Sequence, residues 1–330
     1  MKKIRVAING FGRIGRAFYK VAKENPDIEI VAVNDLTSLE NVSYLLKYDS
    51  VYGSSNYTLD GVKYISEKDP TKLPWKDLDI DIVVESTGLF TSSDKAQAHI
   101  TAGAKRVVVS APIKDEADSA VKGQTVLMSM NEDNLSKCQI SSNASCTTNA
   151  GSPLLAILDE ALGVEKALLN TVHAYTASQA IVDGPSKKDM REGRAAAQNI
   201  VPSSTGAAIA VTKVMTGLTG LFDGISIRVP VVAGSIVDIT FISKRNTSKE
   251  EVNDILKKAA SQDRWRGIFT VTEEDLVSSD IVGNPHASIA DLAFTRVVGG
   301  NLVKVLAWYD NEMGYTHTLV QHVIKAGMLI

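Results

Sequence analysis

Gly10-Phe11-Gly12-Arg13-Ile14-Gly15 closes an apolar run, Ile4 to Asn9, and leads into Arg16 to Glu24, a segment with Phe18, Val21 and Ala22 on one helical face. No other stretch constrains the fold as strongly. In a G-x-G-x-x-G turn the glycines permit a tight bend, close approach of backbone to a pyrophosphate, and close packing of helix on strand. An ordinary strand, turn and helix that happens to contain glycines is the plain alternative. Against it, Asn25-Pro26-Asp27 stops the helix, Glu29 to Asn34 reads as a second strand, and Asp35 ends that strand twenty residues beyond Gly15. A carboxylate there accepts from both ribose hydroxyls of NAD. The 2′-phosphate of NADP would meet a like charge and no arginine in Asn34-Asp35-Leu36-Thr37. The expected cofactor is therefore NAD.

The alternation continues with strands expected at Ile80 to Glu85, Arg106 to Ser110 and Thr125 to Met128, and a helix at Ser93 to Ala102 capped by Ser92 or Ser93 and stopped by Gly103. That pattern is a Rossmann-type α/β domain with a parallel sheet. After about residue 147 the rhythm changes. Leu168 to Tyr175, Ile225 to Val229, Val237 to Ser243 and Leu302 to Tyr309 read as strands, with a helix at Lys249 to Ala260, which predicts an α+β domain with a mainly antiparallel sheet. Asp183 to Pro202 is charged, glycine-containing and aperiodic, and reads as an ordered functional loop; Gly314 to Ile330 is helical by pattern. A chain of 330 residues is long enough for two such domains.

Charge narrows the function. Thirty-five basic residues against 38 acidic ones leave a net charge of −3, so no field for nucleic acid or an anionic membrane is indicated. No run approaches the roughly 18 to 20 apolar residues of a membrane span, and the basic start Met1-Lys2-Lys3 leads into no signal-peptide core. The two cysteines, Cys138 and Cys146, do not look like a disulfide framework. A reduced, cytoplasmic setting is expected, and no metal site.

Cys146 lies in Ser142-Asn143-Ala144-Ser145-Cys146-Thr147-Thr148-Asn149, between a short strand expected at Gln139 to Ser142 and a helix expected at about Thr147 to Ala161. A thiol at a helix N-terminus gains thiolate character from the dipole, so this is a place for a nucleophile. The plain reading is that Ser145, Thr147 and Thr148 merely cap the helix. His173, in Asn170-Thr171-Val172-His173-Ala174-Tyr175-Thr176, follows 27 residues later at the end of an expected strand. Taken singly, such a histidine is more often a satisfied core residue than a base.

Asn9 to Gly15, Glu85-Ser86-Thr87-Gly88, Ser110-Ala111-Pro112, Ser145 to Asn149, His173 to Thr176, Pro202-Ser203-Ser204-Thr205-Gly206-Ala207, Arg228-Val229-Pro230 and Trp308-Tyr309-Asp310-Asn311-Glu312 together resemble the glyceraldehyde-3-phosphate dehydrogenase family, in that family's order and across the whole chain. The resemblance implies Cys146 as nucleophile and His173 as its base. It implies cofactor contacts at Gly10, Gly12, Arg13, Ile14, Gly15, Asp35, Ser110 and Asn311, with Lys68 near the adenine. It places the phosphate of glyceraldehyde 3-phosphate at Thr176 and Arg228, and inorganic phosphate at Ser145, Thr147, Thr205, Gly206 and Arg194. It further implies a homotetramer, and an NAD-binding domain of residues 1–147 completed by the C-terminal helix 313–330, with residues 148–312 forming the catalytic domain. Met313 departs from the family's frequent tryptophan, and Ser50-Val51-Tyr52-Gly53-Ser54-Ser55 lacks its common histidine and arginine.

An aldehyde does not readily expel hydride by itself, whereas a thiolate adduct can. A base must then take the adduct's hydroxyl proton, and the thioester that forms keeps its energy until inorganic phosphate attacks. Two rivals stand beside this reading: an erythrose-4-phosphate dehydrogenase, which Ala174-Tyr175-Thr176 disfavours, and a non-catalytic NAD- or RNA-binding scaffold. For His173 and Thr176 to serve one site, the strand must end between them, because period two would put them on opposite faces. For Arg228 the plain alternative is a surface ion pair on a strand.

Overall fold

The computed structural model describes residues 2–115, 118–186 and 189–330. Met1, and Lys187 and Lys188 of the expected functional loop, lie outside the described residues. Two compact units result: Met1–Ser145 with Thr316–Ile330, and Cys146–Tyr315. The division falls between Ser145 and Cys146, two residues before the expected boundary, because Cys146 already begins the helix Cys146–Leu162.

The first unit holds a sheet of seven strands in the order Lys63–Ile65, Ile28–Asn34, Ile4–Asn9, Ile82–Glu85, Arg106–Val109, Ile140–Ser142, Gln124–Thr125, all paired in parallel. The chain runs outward on one side of Ile4–Asn9 and returns on the other beside Ile82–Glu85. That reversal opens a crevice at the strands' carboxyl ends, where ligands of such sheets bind. Val6, Ala7, Ile8, Val83 and Val84 are fully buried, as both-face burial of a parallel sheet requires. The last strand is shorter than expected. Thr125 to Met128 is apolar enough to read as strand, but pairing stops at Thr125 and the chain turns through Ser129 at φ 66°.

The second unit holds seven strands in the order Val201–Ser204, Phe222–Val229, Val164–Ala174, Ser235–Ser243, Leu302–Tyr309, Ser288–Val298, Phe269–Thr272. Two neighbouring pairs are parallel and the other four antiparallel, so the sheet is mixed and mainly antiparallel. The helices Cys146–Leu162, Ala207–Val214 and Lys249–Ala260 pack on it. Its opposite face leaves Leu168, Ile225 and Leu302 66%, 54% and 42% exposed, beside a groove of about 770 Å³. No helix among the described residues is long and apolar enough to cross a membrane.

Candidate active site

In the first unit the helix after the glycine turn spans Arg13–Lys23, starting a turn earlier than the pattern of apolar residues predicts. Gly12 is therefore the N-cap, with no side-chain cap and no acid in the first turn, so the helix start is shaped for an anion. Gly10 takes φ +92°, and a Cβ on Gly15 would lie 2.1 Å from the Gly10 carbonyl oxygen. A Cβ on Gly12, by contrast, would meet nothing within 4 Å, which leaves the backbone open to a close neighbour. Asp35 Oδ2 accepts from Phe11 N–H at 2.7 Å and Oδ1 from Thr37 N–H at 2.9 Å. Burial would raise this carboxyl, but those two N–H groups, the Thr37 hydroxyl and Arg16 outweigh it and hold it below its ordinary value. An ionised Asp35 beside an open glycine turn fits a dinucleotide with a free ribose 2′-hydroxyl. Ser110 lies half-buried at the end of its strand, Arg13 pairs with Asp49 at 3.2 Å, and Lys68 is exposed.

In the second unit Cys146 Sγ lies 3.3 Å from His173 Nε2. The Val164–Ala174 strand carries His173, and it ends at Ala174, before Thr176. Its parallel neighbour sets Arg228 opposite His173 in register, so residues 55 apart in sequence become side-by-side partners. The Ala174 carbonyl, 2.6 Å from His173 Nδ1, can only accept and calls for a proton on Nδ1. Arg228 Nη1 can only donate; it lies 2.5 Å from the same Nδ1, where it calls for a lone pair, and also donates to the Ala174 carbonyl at 3.2 Å, so these contacts are compatible with either neutral tautomer. Burial first, and this cation second, push His173 down to about 3, so the imidazole is neutral. Burial also pushes the Cys146 thiol up, against the lowering effects of Arg228 and the Thr147 N–H. The sulfur and the imidazole nitrogen are close enough for proton transfer when sulfur attacks.

Arg228 Nε is buried and has no hydrogen-bond partner among the described residues. A half-buried guanidinium with one buried, unsatisfied N–H is suited to an anion. Thr176 is exposed, its hydroxyl 3.0 Å from Ser178 Oγ. Thr205 Oγ1 accepts from Ala207 N–H at 3.1 Å, and Gly206 is the N-cap of the Ala207–Val214 helix. Arg194 pairs with Asp183 at 2.9 Å, both side chains about 60% exposed. Asn311 Oδ1 accepts from Ser235 Oγ at 3.0 Å, and Ser235 Oγ accepts from Ala174 N–H at 3.0 Å.

Tyr309 escapes a reading from sequence. Its hydroxyl lies 2.9 Å from Thr147 Oγ1 and 2.8 Å from Thr171 Oγ1, and its ring stands edge-on to His173 with centroids 5.9 Å apart. Burial, then Cys146, raise its phenol, so it stays protonated. The only signal was its place in Trp308-Tyr309-Asp310, at the end of a strand. Among the described residues, no group of three or more histidines, cysteines or acids is arranged to hold a metal.

Comparison with known proteins covers both units. Residues 4–93 match the family model of the glyceraldehyde 3-phosphate dehydrogenase NAD-binding domain, and residues 145–311 that of its C-terminal domain. The chain is 46% identical to glyceraldehyde-3-phosphate dehydrogenase 2 of Streptomyces avermitilis over 98% of each chain, and 46% identical to the Mycobacterium avium enzyme over the same shares. It is 45% identical to glyceraldehyde-3-phosphate dehydrogenase B of Aspergillus oryzae over 96% of each.

Proposed function

The chain belongs to the glyceraldehyde-3-phosphate dehydrogenase family, and on that premise we propose which of its residues carry the reaction. It is an NAD-dependent oxidoreductase that converts D-glyceraldehyde 3-phosphate and inorganic phosphate to 1,3-bisphosphoglycerate in glycolysis. Cys146 is the nucleophile and His173 its base; the observation that carries this is the 3.3 Å contact between Sγ and His173 Nε2.

Sγ adds to the aldehyde carbon, and the thiol proton ends on the former carbonyl oxygen as a thiohemiacetal hydroxyl. Nε2 takes that hydroxyl proton as hydride departs from the carbon, and a thioester remains on Cys146. NAD, when bound, supplies the hydride acceptor. A phosphate oxygen then attacks the thioester carbon, the C–S bond breaks, and the proton held by His173 returns to sulfur. Thr147, whose hydroxyl is held by Tyr309, joins Ser145, Thr205, Gly206 and Arg194 as the group offered to inorganic phosphate. The Arg194–Asp183 pair must open for Arg194 to take part.

The first unit is the NAD-binding domain and the second the catalytic domain. Gly10, Gly12, Arg13, Ile14, Gly15, Asp35, Lys68 and Ser110 of the first unit hold the cofactor, joined by Asn311. The assembly is a homotetramer, a reading supported by the exposed apolar sheet face around Leu168, Ile225 and Leu302. Free Cys138 and Cys146 suit a reducing cytoplasm.

Arg228 and Thr176 anchor the phosphate of the aldehyde. Arg228→Ala is expected to cut kcat/KM for glyceraldehyde 3-phosphate severely while scarcely changing turnover of unphosphorylated glyceraldehyde, since both share the chemistry at Cys146. Equal losses on the two aldehydes, or none on either, would overturn the anchor.

A further inference from the structure

Glu85 ends the Ile82–Glu85 strand and is 2% exposed. Its carboxylate takes four donors. Oε2 accepts from Asn9 Nδ2 at 2.6 Å and faces His99 Nε2 at 3.0 Å; Oε1 accepts from Thr87 N–H at 2.8 Å and from the Thr87 hydroxyl at 2.5 Å. Trp75 fixes the proton on His99. An indole N–H only donates, and this one points at His99 Nδ1 from 3.1 Å, so the neutral ring carries its hydrogen on Nε2 and gives it to Glu85. Asn9 Nδ2, 3.4 Å from that same Nε2, is then donor facing donor and makes no bond to it. Among the described residues no lysine or arginine pairs with Glu85.

From Asn9 the line of bonds runs on. Its Oδ1 accepts from Asn34 Nδ2 at 2.7 Å; that amide also donates to the Glu67 carbonyl at 2.9 Å, and Asn34 Oδ1 accepts from Glu67 N–H at 2.9 Å. His99, Glu85, Asn9, Asn34 and Glu67 thus form one chain across the carboxyl ends of neighbouring strands. Three of the five links stand one residue before a position assigned to the cofactor: Asn9 before Gly10, Asn34 before Asp35, Glu67 before Lys68.

A buried carboxylate with no cation is an expensive way to fill space, and an apolar side chain would pack with less cost. What a fully satisfied polar network adds is a single geometry. We propose that Glu85, with His99 and Asn9, is a positioning residue for NAD: it sets the relative places of the Gly10–Gly15 turn, the Asp35 loop and the Lys68 loop before the dinucleotide arrives. The proposal rests on the reading that Asp35 and Lys68 hold the adenosine half. Loops that stray from the competent arrangement weaken apparent affinity by the fraction of time they are astray.

The test is NAD binding to the full-length protein, measured by calorimetry, beside steady-state kinetics. Glu85→Gln turns an N–H against two donors, and leaving such a bond unmade corresponds to about a tenfold rise in the Kd for NAD. kcat at saturating NAD and KM for the aldehyde are expected to hold. His99→Gln keeps a donor toward Glu85 and an acceptor for Trp75, and is expected to bind NAD as the wild type does; His99→Leu keeps neither and is expected to match Glu85→Gln. This pair carries the test should Glu85→Gln not fold. Asp35→Ala separates the two claims: unchanged affinity there overturns the cofactor-site reading itself. Weakened binding in Asp35→Ala with wild-type affinity in Glu85→Gln, or equal affinity in His99→Gln and His99→Leu, overturns the positioning role.

Discussion

The base role proposed for His173 rests on three neighbours. The Ala174 carbonyl and Arg228 Nη1 both meet its Nδ1, Arg228 disfavours a second proton on the ring, and Cys146 Sγ faces its Nε2. His173→Asn, which lacks a basic nitrogen, is therefore expected to slow hydride transfer roughly 10² to 10⁴-fold, the worth of a positioned general base. Stopped-flow absorbance of NADH formation measures this directly, and an unchanged rate would remove His173 from the mechanism. At this scale the sequence is a good guide to residue types and a poor guide to their environment. Cys146 and His173 are legible because each sits at the end of an element. The direction of the thiol's shift is not, because the helix N-terminus can be read from sequence while burial of the sulfur cannot. Tyr309 and Glu85 stand in quoted motifs, but their contacts could not be read for a related reason: their partners, Thr147 and Thr171 for one and Asn9 and His99 for the other, are assembled only by the sheets.

Three elements were readable to the residue. Ile4–Asn9, Lys249–Ala260 and Leu302–Tyr309 occupy the spans their patterns predict. Ser288–Val298 has no such pattern, since its first five residues are all buried and its pairing shifts between Asp291 and Arg296, so period two never appears. The first helix begins earlier than its apolar face because its first turn, Arg13 and Ile14, is set by the glycine bend rather than by packing. That bend and the following strand put Asp35 where its carboxylate is held ionised by Phe11 and Thr37. Replacing Asp35 with alanine is expected to weaken NAD and narrow the preference over NADP, because the carboxylate both accepts from hydroxyls and repels a phosphate. Parallel assays with the two cofactors give the ratio; a wild-type protein that turns over NADP as well as NAD would contradict this.

At the scale of the whole molecule, both domain types were legible from the change of rhythm near residue 147, while the sheet face that remains open is a property of the assembled second unit. Leu168, Ile225 and Leu302 stand on that face, apolar and exposed. A charge placed there has no partner once the face is covered, so Leu168→Asp is expected to dissociate the proposed homotetramer into smaller species in sedimentation velocity. Sedimentation of the variant as a tetramer would rule out this face as an interface.

The covalent role of Cys146 underlies all of these readings, and it has a direct signature. With glyceraldehyde 3-phosphate and NAD but no inorganic phosphate, the thioester has no acceptor, so rapid mixing is expected to give a burst of about one NADH per subunit and then a stall. Intact-protein and peptide mass spectrometry of the stalled sample are expected to find the acyl group on Cys146, and added phosphate to restore turnover. Steady turnover without phosphate, or a burst that survives Cys146→Ser, would contradict the account.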